Sequence, residues 1–531
     1  MTSTRWEALD PRTPVIVGVG VASQQLDEPG SGLEALELML AAARTAGEDT
    51  GTPGILRAVQ RVAVPHGSWN YTDPGRIIAQ RIGAAGAQTV LVGTGIPQQT
   101  LLNDAHAAIR DGTLDVALIV GGEAARRAAI ARRHGVTVVD TVQDGATPDD
   151  LQLPTDEIIT QIEIDAGVSS AMQPFALIDS ALRHAEGRSL DEQRDEIARL
   201  WAGFSAVASR FPHAAFPEPR DATFIREPSA ANRPIAFPYN KWHCAQMNVD
   251  QAAALLVCSL DAAGRFGVDL DRVVFPLVAL ESSFSLPVPK RRDLHRWPAM
   301  QVLGRAAEAH LGHALSAIAL VELYSCFPAA VRVQQRALQL PVDGVPTITG
   351  GETFAGGPWN NFVLQATAAM VERLRMQRDV QGLVSTVSGL VNKPGLAVYA
   401  TQPACVPLLL GDLAEQAARA TPRAELIDGY RGPARVAAYT VTYAASRTWQ
   451  PVATQHLRRK PLECGRGADH PTDAGRRPYE QAEPTKCTII ADTPSGTRCM
   501  ASSDDAALAR CATREELIGT TVGIDGMRFE L

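Results

Sequence analysis

The chain has 531 residues, of which 45% are hydrophobic and 20% charged, and its formal net charge is −8. This length exceeds what one hydrophobic core usually serves, so three or four structural units are expected. The acidic balance argues against a general nucleic-acid-binding surface, which needs an excess of Lys and Arg to neutralise phosphates. No apolar run approaches the ~18 residues of a membrane span, and the first residues contain no signal-peptide core. We therefore expect a cytoplasmic protein without a membrane span.

The first part of the chain alternates apolar strand patterns with helical patterns, which is typical of β-α-β units. In chain order we predict strand 15–20, helix 33–46, strand 61–65, helix 76–82, strand 89–93, helix 98–110 and strand 116–121. A similar succession returns about 260 residues later. It consists of helix 299–309, strand 317–323, helix 329–338, strand 345–349, helix 361–374 and strand 382–387. The sequence therefore predicts two similar α/β halves.

A segment at 137–239 interrupts the pattern with amphipathic helices at 158–164 and 189–207 and with Pro-rich extended pieces. We interpret it as an insertion that covers the sheet edge, where binding surfaces are often found. Beyond residue 412 the composition changes. Two β-like runs are predicted at 435–445 and 487–501 and a terminal pair of strands at about 521–531, with a long mobile loop at 446–484. Short strands with turn residues between them favour a small antiparallel barrel. The expected division is 1–136 with 240–265, then 137–239, 266–411 and 412–531.

The spacing of cysteines and histidines predicts neither a metal site nor a set of disulfide bonds. The eight cysteines include no C-x-x-C pair, so reduced thiols are expected. His310 and His313 lie three residues apart with no third ligand nearby, and we expect them at a helix end rather than on a metal. His106 lies within a predicted buried helix and is expected to be a packed histidine.

Three motifs carry a resemblance to a known family: VELYSCFP at 321–328, GGETFAGGP at 350–358 and NVDQAAA at 248–254. With the duplicated halves over 13–411, they resemble the thiolase superfamily, nearest to the sterol-carrier-protein type thiolases. They match that family's H-D-C-F variant of the N-E-A-F motif, its G-G-x-x-x-x-G-H-P motif and its D-G-A-A-A helix. The resemblance implies the thiolase fold, in which two pseudo-repeated βαβαβαββ halves form a five-layer αβαβα sandwich. A small β-barrel-like (OB-like) C-terminal domain would be added.

The same resemblance locates the positions where a thiolase does its chemistry. The nucleophilic cysteine falls on Gly95 or Ile96, and the first cysteine of this chain is Cys244. The G-H-P histidine falls on Gly357, and the asparagine of the oxyanion site falls on Tyr324. The second cysteine falls on Val387 in VSTVSG. Thiolysis and Claisen condensation by the family mechanism are therefore not expected.

The resemblance further implies CoA or an acyl-CoA as ligand, with no covalently bound cofactor, as in the acetyl-CoA acetyltransferase family of lipid metabolism. The expected pocket backbone is Gly93, Gly95, Gly357, Asn360 and Gly389. Asn360 and Asn361, beside Trp359, stand at a predicted helix start, where Asn most often caps a backbone N–H; the alternative is that these side chains line the cavity.

Two alternatives to a non-thiolytic binding protein stay open. An acyltransferase or thioester hydrolase would need a relocated nucleophile, Cys244 or Cys326, with His243 as its base. Against this, adjacent residues on an extended chain point to opposite faces, and a buried Cys is more often a small hydrophobe. The second alternative is a docking scaffold that acts through the C-terminal domain.

Assembly stays open as well. In the family, the strand that corresponds to 89–93 pairs with its copy in a homodimer. A monomer would result if the C-terminal domain capped that edge.

Overall fold

The computed structural model describes residues 9–403, 406–444 and 482–531. A first mixed sheet contains the strands of the first half. Its spatial order is β1 (Pro14–Gln24), β8 (Asp250–Ser259), β4 (Val116–Ala124), β2 (Arg61–Pro65), β3 (Gln88–Val92) and β5 (Asp150–Gln152). β8 runs antiparallel to both β1 and β4, whereas β2 runs parallel to β4 and β3.

The second sheet repeats this arrangement. Its order is β13 (Leu409–Asp412), β9 (Phe275–Glu281), β12 (Lys393–Ala400), β11 (Gln381–Ser388) and β10 (Leu320–Glu322). Thus β9, β12, β11 and β10 take the places of β1, β8, β4 and β2, and each pair of neighbours has the same relative direction. The predicted duplication is confirmed.

Helices complete a five-layer arrangement. Two buried helices, α3 (Gln98–Arg110) and α13 (Phe362–Met376), contact strands of both halves and lie between the sheets. On the outer face of the first sheet lie α1 (Ala35–Asp49) and α2 (Pro74–Arg81), and on that of the second lie α10 (Pro298–Leu311) and α11 (Pro328–Ala337). Short helices α4 (Ala125–Arg133), α9 (Leu260–Arg265), α12 (Gly351–Phe354) and α14 (Ala414–Ala420) follow or precede strands. The thiolase-fold sandwich that the sequence predicted is confirmed.

Two predicted elements differ from the structure. Residues 345–349 do not form a strand, because Pro346 lacks an N–H and the carboxylate of Glu322 accepts the N–H groups of Ile348 (2.7 Å) and Thr349 (3.0 Å). The NVDQAAA segment is not a helix: its Ala-rich run continues into β8, which is buried along its whole length between β1 and β4. A short apolar run has no periodicity that separates these two possibilities.

The insertion contains α5 (Gln161–Asp165), α6 (Met172–Ala185), α7 (Leu190–Ala208), α8 (Ala222–Arg226), β6 (Pro234–Ala236) and β7 (Tyr239–Asn240). The predicted helix 189–207 is confirmed almost to the residue, because Ser189 and Glu192 form a capping box at its start. The predicted helix 158–164 begins later, at Gln161, where Thr160 and Glu163 form a second capping box.

The C-terminal strands close into the predicted barrel. It consists of β14 (Arg431–Tyr443), β15 (Pro484–Asp492), β16 (Arg498–Ser503), β18 (Arg528–Glu530) and β17 (Thr521–Asp525), with α15 (Ala506–Ala512) packed on it. Since β14 pairs with both β15 and β17, the sheet has no free edge there. Most of the predicted loop 446–484, through residue 481, lies outside the described residues, as do Cys405 and Cys464.

The barrel docks on the insertion rather than on β3. β14 packs on α6, where Tyr439 N donates to Ser180 Oγ (3.1 Å) and Arg183 pairs with Glu516. The edge of β3 is covered by β5 instead, and Thr89 N donates to Asp149 Oδ2 (2.8 Å) beside it. Of the two possibilities left open for this edge, capping by the C-terminal domain is not what the described residues show. Among the residues that the structure describes, no helix is long and apolar enough to cross a membrane.

Candidate active site

The two buried helices are joined at their N-terminal ends. The side chain of Gln98, at the start of α3, accepts a hydrogen bond from Val363 N (2.8 Å) and donates one to Asn360 Oδ1 (3.2 Å). Asn361 is the residue before α13, but its side chain does not cap the helix. The capping role predicted for an asparagine there is thus taken by a glutamine from the other half. Gln98 brings the turn before α3 next to the turn before α13.

Ile158 lies over two of the predicted pocket glycines. A β-carbon built on Gly95 would lie 2.8 Å from Ile158 Cδ1, and one on Gly389 would lie 3.3 Å from Ile158 Cγ2. Pro154 lies beside it, because β-carbons at Gly93 and Gly95 would come within 3.3 and 3.2 Å of its ring. The predicted pocket positions Gly93, Gly95 and Gly389 therefore come together, and a segment of the insertion covers them.

Ion pairs anchor this covering segment to the second half. Lys393 Nζ lies 2.9 Å from Asp156, and Lys290 Nζ lies 2.7 Å from Glu157. Ser285 Oγ also donates to Glu157 O at 3.0 Å. Glu157, the residue before Ile158, is thus held by both its carboxylate and its backbone carbonyl. These two contacts help to keep the Ile158 side chain over the glycines.

Gly357 is packed too tightly to accept a larger residue without rearrangement. Its N–H donates to Gln246 O (3.0 Å), and an added β-carbon would lie 3.2 Å from Ala245 Cβ and 3.4 Å from Glu352 Cβ. Ala245 N in turn donates to Cys326 O (2.9 Å). A side chain at this position would therefore require Ala245 to move by a few tenths of an ångström.

Glu352 is a buried acid that the sequence reading missed. Ser325 N donates to its carboxylate (3.1 Å), and its own N–H donates to Ser325 Oγ (3.0 Å). Burial raises the pKa of Glu352 to about 8. Burial, followed by the nearby Glu352 carboxylate, also raises the pKa of Tyr324 well above its ordinary value. Tyr324 is thus a hydrogen-bond donor at this site and a poor base. An acid inside the otherwise apolar GGETF stretch was the available signal.

The imidazole and the two thiols considered as a relocated catalytic pair are all at least half-buried, and their pKa values favour the uncharged forms. His243 Nδ1 accepts a hydrogen bond from Asn240 N (2.9 Å), and burial lowers the His243 pKa to about 3. Burial raises the pKa of Cys244 to about 12, and its thiol donates to Asn240 O (3.5 Å). Cys326 is half-buried, and desolvation together with Glu352 raises its pKa well above the ordinary range. These settings favour thiols over thiolates.

The remaining positions are structural in character. Val387 is buried in β11. Trp359 adopts a φ of +47°, which turns the chain into α13. His106 is fully buried, as predicted, and burial lowers its pKa to about 4. His310 and His313 lie at the end of α10, and the described residues contain no group of three or more side chains suited to a metal ion.

No model of a protein family matches this sequence, and neither does any curated protein. Solved structures do match. A monomeric SCP2-thiolase like protein type 1 from Mycobacterium smegmatis is 25% identical, with a TM-score of 0.77 over 98% of this chain and 100% of that chain. The dimeric peroxisomal thiolase of Saccharomyces cerevisiae is 16% identical, with a TM-score of 0.50 over 74% of this chain and 98% of that chain. Human mitochondrial 3-ketoacyl-CoA thiolase in complex with CoA is also 16% identical, with a TM-score of 0.50 over 73% of this chain and 98% of that chain.

The share of the chain that each structure covers distinguishes the duplicated halves from the C-terminal barrel. Both thiolases share the fold over about three quarters of the chain, whereas the mycobacterial protein matches nearly all of it and therefore also the barrel region. This distribution fits the two duplicated halves and the added C-terminal barrel described above. The chain therefore has the thiolase-superfamily fold with an added C-terminal β-barrel, and over almost its whole length it is similar to an SCP2-thiolase-like protein.

Proposed function

We propose that this protein binds CoA or an acyl-CoA thioester and does not carry out thiolysis or Claisen condensation. The observation that carries the proposal is that glycines, Gly95 and Gly357, stand at the two positions where the resemblance places catalytic side chains. Both positions lack a side chain. An added β-carbon would lie 2.8 Å from Ile158 at Gly95, and 3.2 Å from Ala245 at Gly357. The family mechanism needs a cysteine thiolate at the first position and a histidine imidazole at the second, and glycine has no side chain to supply either.

Binding is supported by the parts of the scaffold that do not depend on these side chains. The turns before α3 and α13 lie side by side at helix N-termini, which favour anionic or carbonyl groups. The human thiolase with the same fold was solved in complex with CoA. The inserted segment 137–239 covers the site and would contact the ligand. A role in lipid metabolism follows from such a ligand.

An enzyme that uses Cys244 or Cys326 is the rival proposal. The pKa values of both thiols are raised by burial, and His243 uses its Nδ1 to hold the backbone of Asn240. A base in that position is not free to activate a thiol through the same nitrogen. A scaffold that acts through the barrel is the other rival. The barrel contacts α6 of the insertion and, through Arg498, the backbone of Arg291 in the second half, so it is attached to the body of the protein on two sides.

Calorimetric titration of the full chain with CoA, acetoacetyl-CoA and a long-chain acyl-CoA tests the proposal. We expect binding of at least one of them, and we expect acetoacetyl-CoA to stay unconverted when CoA is added as the second substrate. A working thiolase serves as the positive control for conversion. Turnover of about 1 per second or faster would refute the non-thiolytic assignment. Absence of binding to all three ligands would refute the binding function and favour the scaffold.

A further inference from the structure

One side-chain amide beside the glycine turns has a buried N–H group without a partner. It belongs to Asn392, which precedes β12 and is 4% exposed. Its Oδ1 accepts hydrogen bonds from Arg291 Nη2 (2.6 Å) and Leu286 N (3.1 Å). Because both of these groups can only donate, the oxygen faces them and Nδ2 faces away. Nδ2 is buried, and no described residue accepts a hydrogen bond from it. A buried donor without an acceptor is costly and indicates an acceptor that arrives with a ligand.

This amide is held in one orientation. Arg291 is anchored independently of Asn392, because its Nε donates to Leu286 O (2.9 Å) and its Nη2 to Leu390 O (2.7 Å). The backbone carbonyl of Asn392 accepts a hydrogen bond from Trp297 Nε1 at 3.4 Å. Turning Nδ2 toward another acceptor would break both hydrogen bonds of Oδ1. The donor is therefore preorganised for binding.

Nδ2 of Asn392 lies where the predicted pocket glycines come together. A β-carbon built on Gly389 would lie 3.4 Å from this nitrogen and 3.3 Å from Ile158 Cγ2. The same Ile158 side chain lies over Gly95, where a β-carbon would be 2.8 Å from its Cδ1. An aliphatic side chain cannot accept a hydrogen bond, so Ile158 lies beside the donor without satisfying it.

Ile158 belongs to a covering segment, residues 153–160, that forms neither helix nor strand. The segment runs from the end of β5 to the start of α5. Ile158 is half-buried, whereas Asp156 and Glu157 are exposed and attach the segment to lysines of the second half. Moving Ile158 aside therefore breaks no helix or strand hydrogen bond, and segments of this kind open at low cost.

We propose that the side-chain amide of Asn392 binds a carbonyl oxygen of the ligand after Ile158 has moved aside. Asn392 is then a specificity-determining residue, which selects ligands that place a neutral acceptor beside Gly389. The inference rests on the proposed function and deepens it. Both the thioester of an acyl-CoA and the amides of its pantetheine arm supply such an oxygen, and the ligands of the test distinguish them.

The test compares two ligands that differ only in the thioester carbonyl. The full chain is titrated calorimetrically with butyryl-CoA and with S-butyl-CoA, the thioether in which a methylene replaces that carbonyl. We expect butyryl-CoA to bind about tenfold more tightly, because it alone supplies the thioester oxygen to an otherwise unpaired donor. Equal affinities that Asn392→Asp weakens alike would support a hydrogen bond to a pantetheine amide. Equal affinities that Asn392→Asp leaves unchanged would refute the proposal while the proposed function stands. No binding of either ligand would refute both.

Asn392→Asp separates a ligand role from a structural role. It keeps an oxygen for Arg291 and Leu286, and it replaces the free N–H group by a second oxygen that repels a carbonyl. We expect the affinity for butyryl-CoA to fall about tenfold or more, and the preference over S-butyl-CoA to disappear. The Tm of the unliganded protein should stay the same or rise, because the new carboxylate lies against the guanidinium of Arg291. Asn70→Asp adds the same charge at an exposed position and is the matched control, which should change neither quantity. A changed Tm with an unchanged ratio of the two affinities would show that Asn392 is structural and overturn the proposal.

Ile158→Ala tests the opening step. A smaller side chain leaves less to move, so the affinity for butyryl-CoA should rise about threefold or more. Asn392→Asp should keep its effect in this background. An unchanged or lowered affinity in Ile158→Ala would show that Ile158 does not oppose the ligand, and this result would overturn the proposed displacement.

Discussion

Replacing Gly95 by alanine should destabilise the protein by about 1 to 5 kcal/mol. Gly95 has a φ of +105°, which L side chains rarely adopt, and holding a non-glycine residue there costs about 1 to 3 kcal/mol. The new β-carbon would also lie 2.8 Å from Ile158 Cδ1, and overpacking of this kind adds about 1 to 3 kcal/mol. The reduced freedom of the unfolded chain offsets about 0.4 to 1 kcal/mol of this.

Denaturant titration of four variants separates the two causes. Gly86→Ala is the matched control, because a β-carbon there meets no atom within 4 Å and its φ is not positive, so it should be neutral or slightly stabilising. In an Ile158→Ala background the collision is removed and the backbone strain stays, so the cost of Gly95→Ala should fall by about 1 kcal/mol or more. The unfolding free energies of the variants are compared after fitting all denaturation curves with one shared m-value. The interpretation of Ile158 as a cover is refuted if Gly95→Ala behaves like Gly86→Ala, or if Ile158→Ala gives no relief.

Three further predictions concern protons, thiols and assembly. The folded protein keeps a proton on Glu352 that the unfolded chain has already lost between about pH 4.5 and 8, so stability should fall as pH rises through this window. Glu352→Gln should reduce that slope by about 1.4 kcal/mol per pH unit, and an unchanged slope in denaturation series would contradict the burial argument. An alkylating reagent should modify Cys244 and Cys326 much more slowly than Cys511, as followed by mass spectrometry. Rapid labelling of Cys244 or Cys326 that acyl-CoA prevents would instead support a relocated nucleophile. Light scattering should find a monomer, because β5 covers β3; a stable dimer would count against that coverage.

The sequence predicted the scaffold well where one local signal was sufficient. The helix 98–110 was predicted with its observed bounds, because Pro97 marks its start and Gly112 lies just beyond its end. The strand at 345–349 failed because Pro346 and the side chain of Glu322 replace the sheet hydrogen bonds, which is a tertiary effect. The proposal that Gly95 and Gly357 stand where a thiolase has catalytic side chains could be made by comparing motifs, since it depends on residue identity alone.

What surrounds those positions could not be predicted. Ile158 lies more than sixty residues along the chain from Gly95. The helix predicted at 158–164 begins only at Gln161, so the helical periodicity does not indicate where the side chain of Ile158 points. Loops that pack on a rigid scaffold are determined by contacts between distant segments, and a single sequence gives little information about these.

Native mass spectrometry of the full chain after incubation with acetoacetyl-CoA and CoA tests the central claim most directly, because binding and chemistry are read from one spectrum. The account predicts a complex of one protein with one intact CoA or acyl-CoA, no mass increase from a covalent acyl group, and no acetyl-CoA above background. An acylated protein or accumulating acetyl-CoA would contradict the assignment of a thiolase-like scaffold without thiolase chemistry. A spectrum of the free protein alone would contradict the assignment of a thioester ligand.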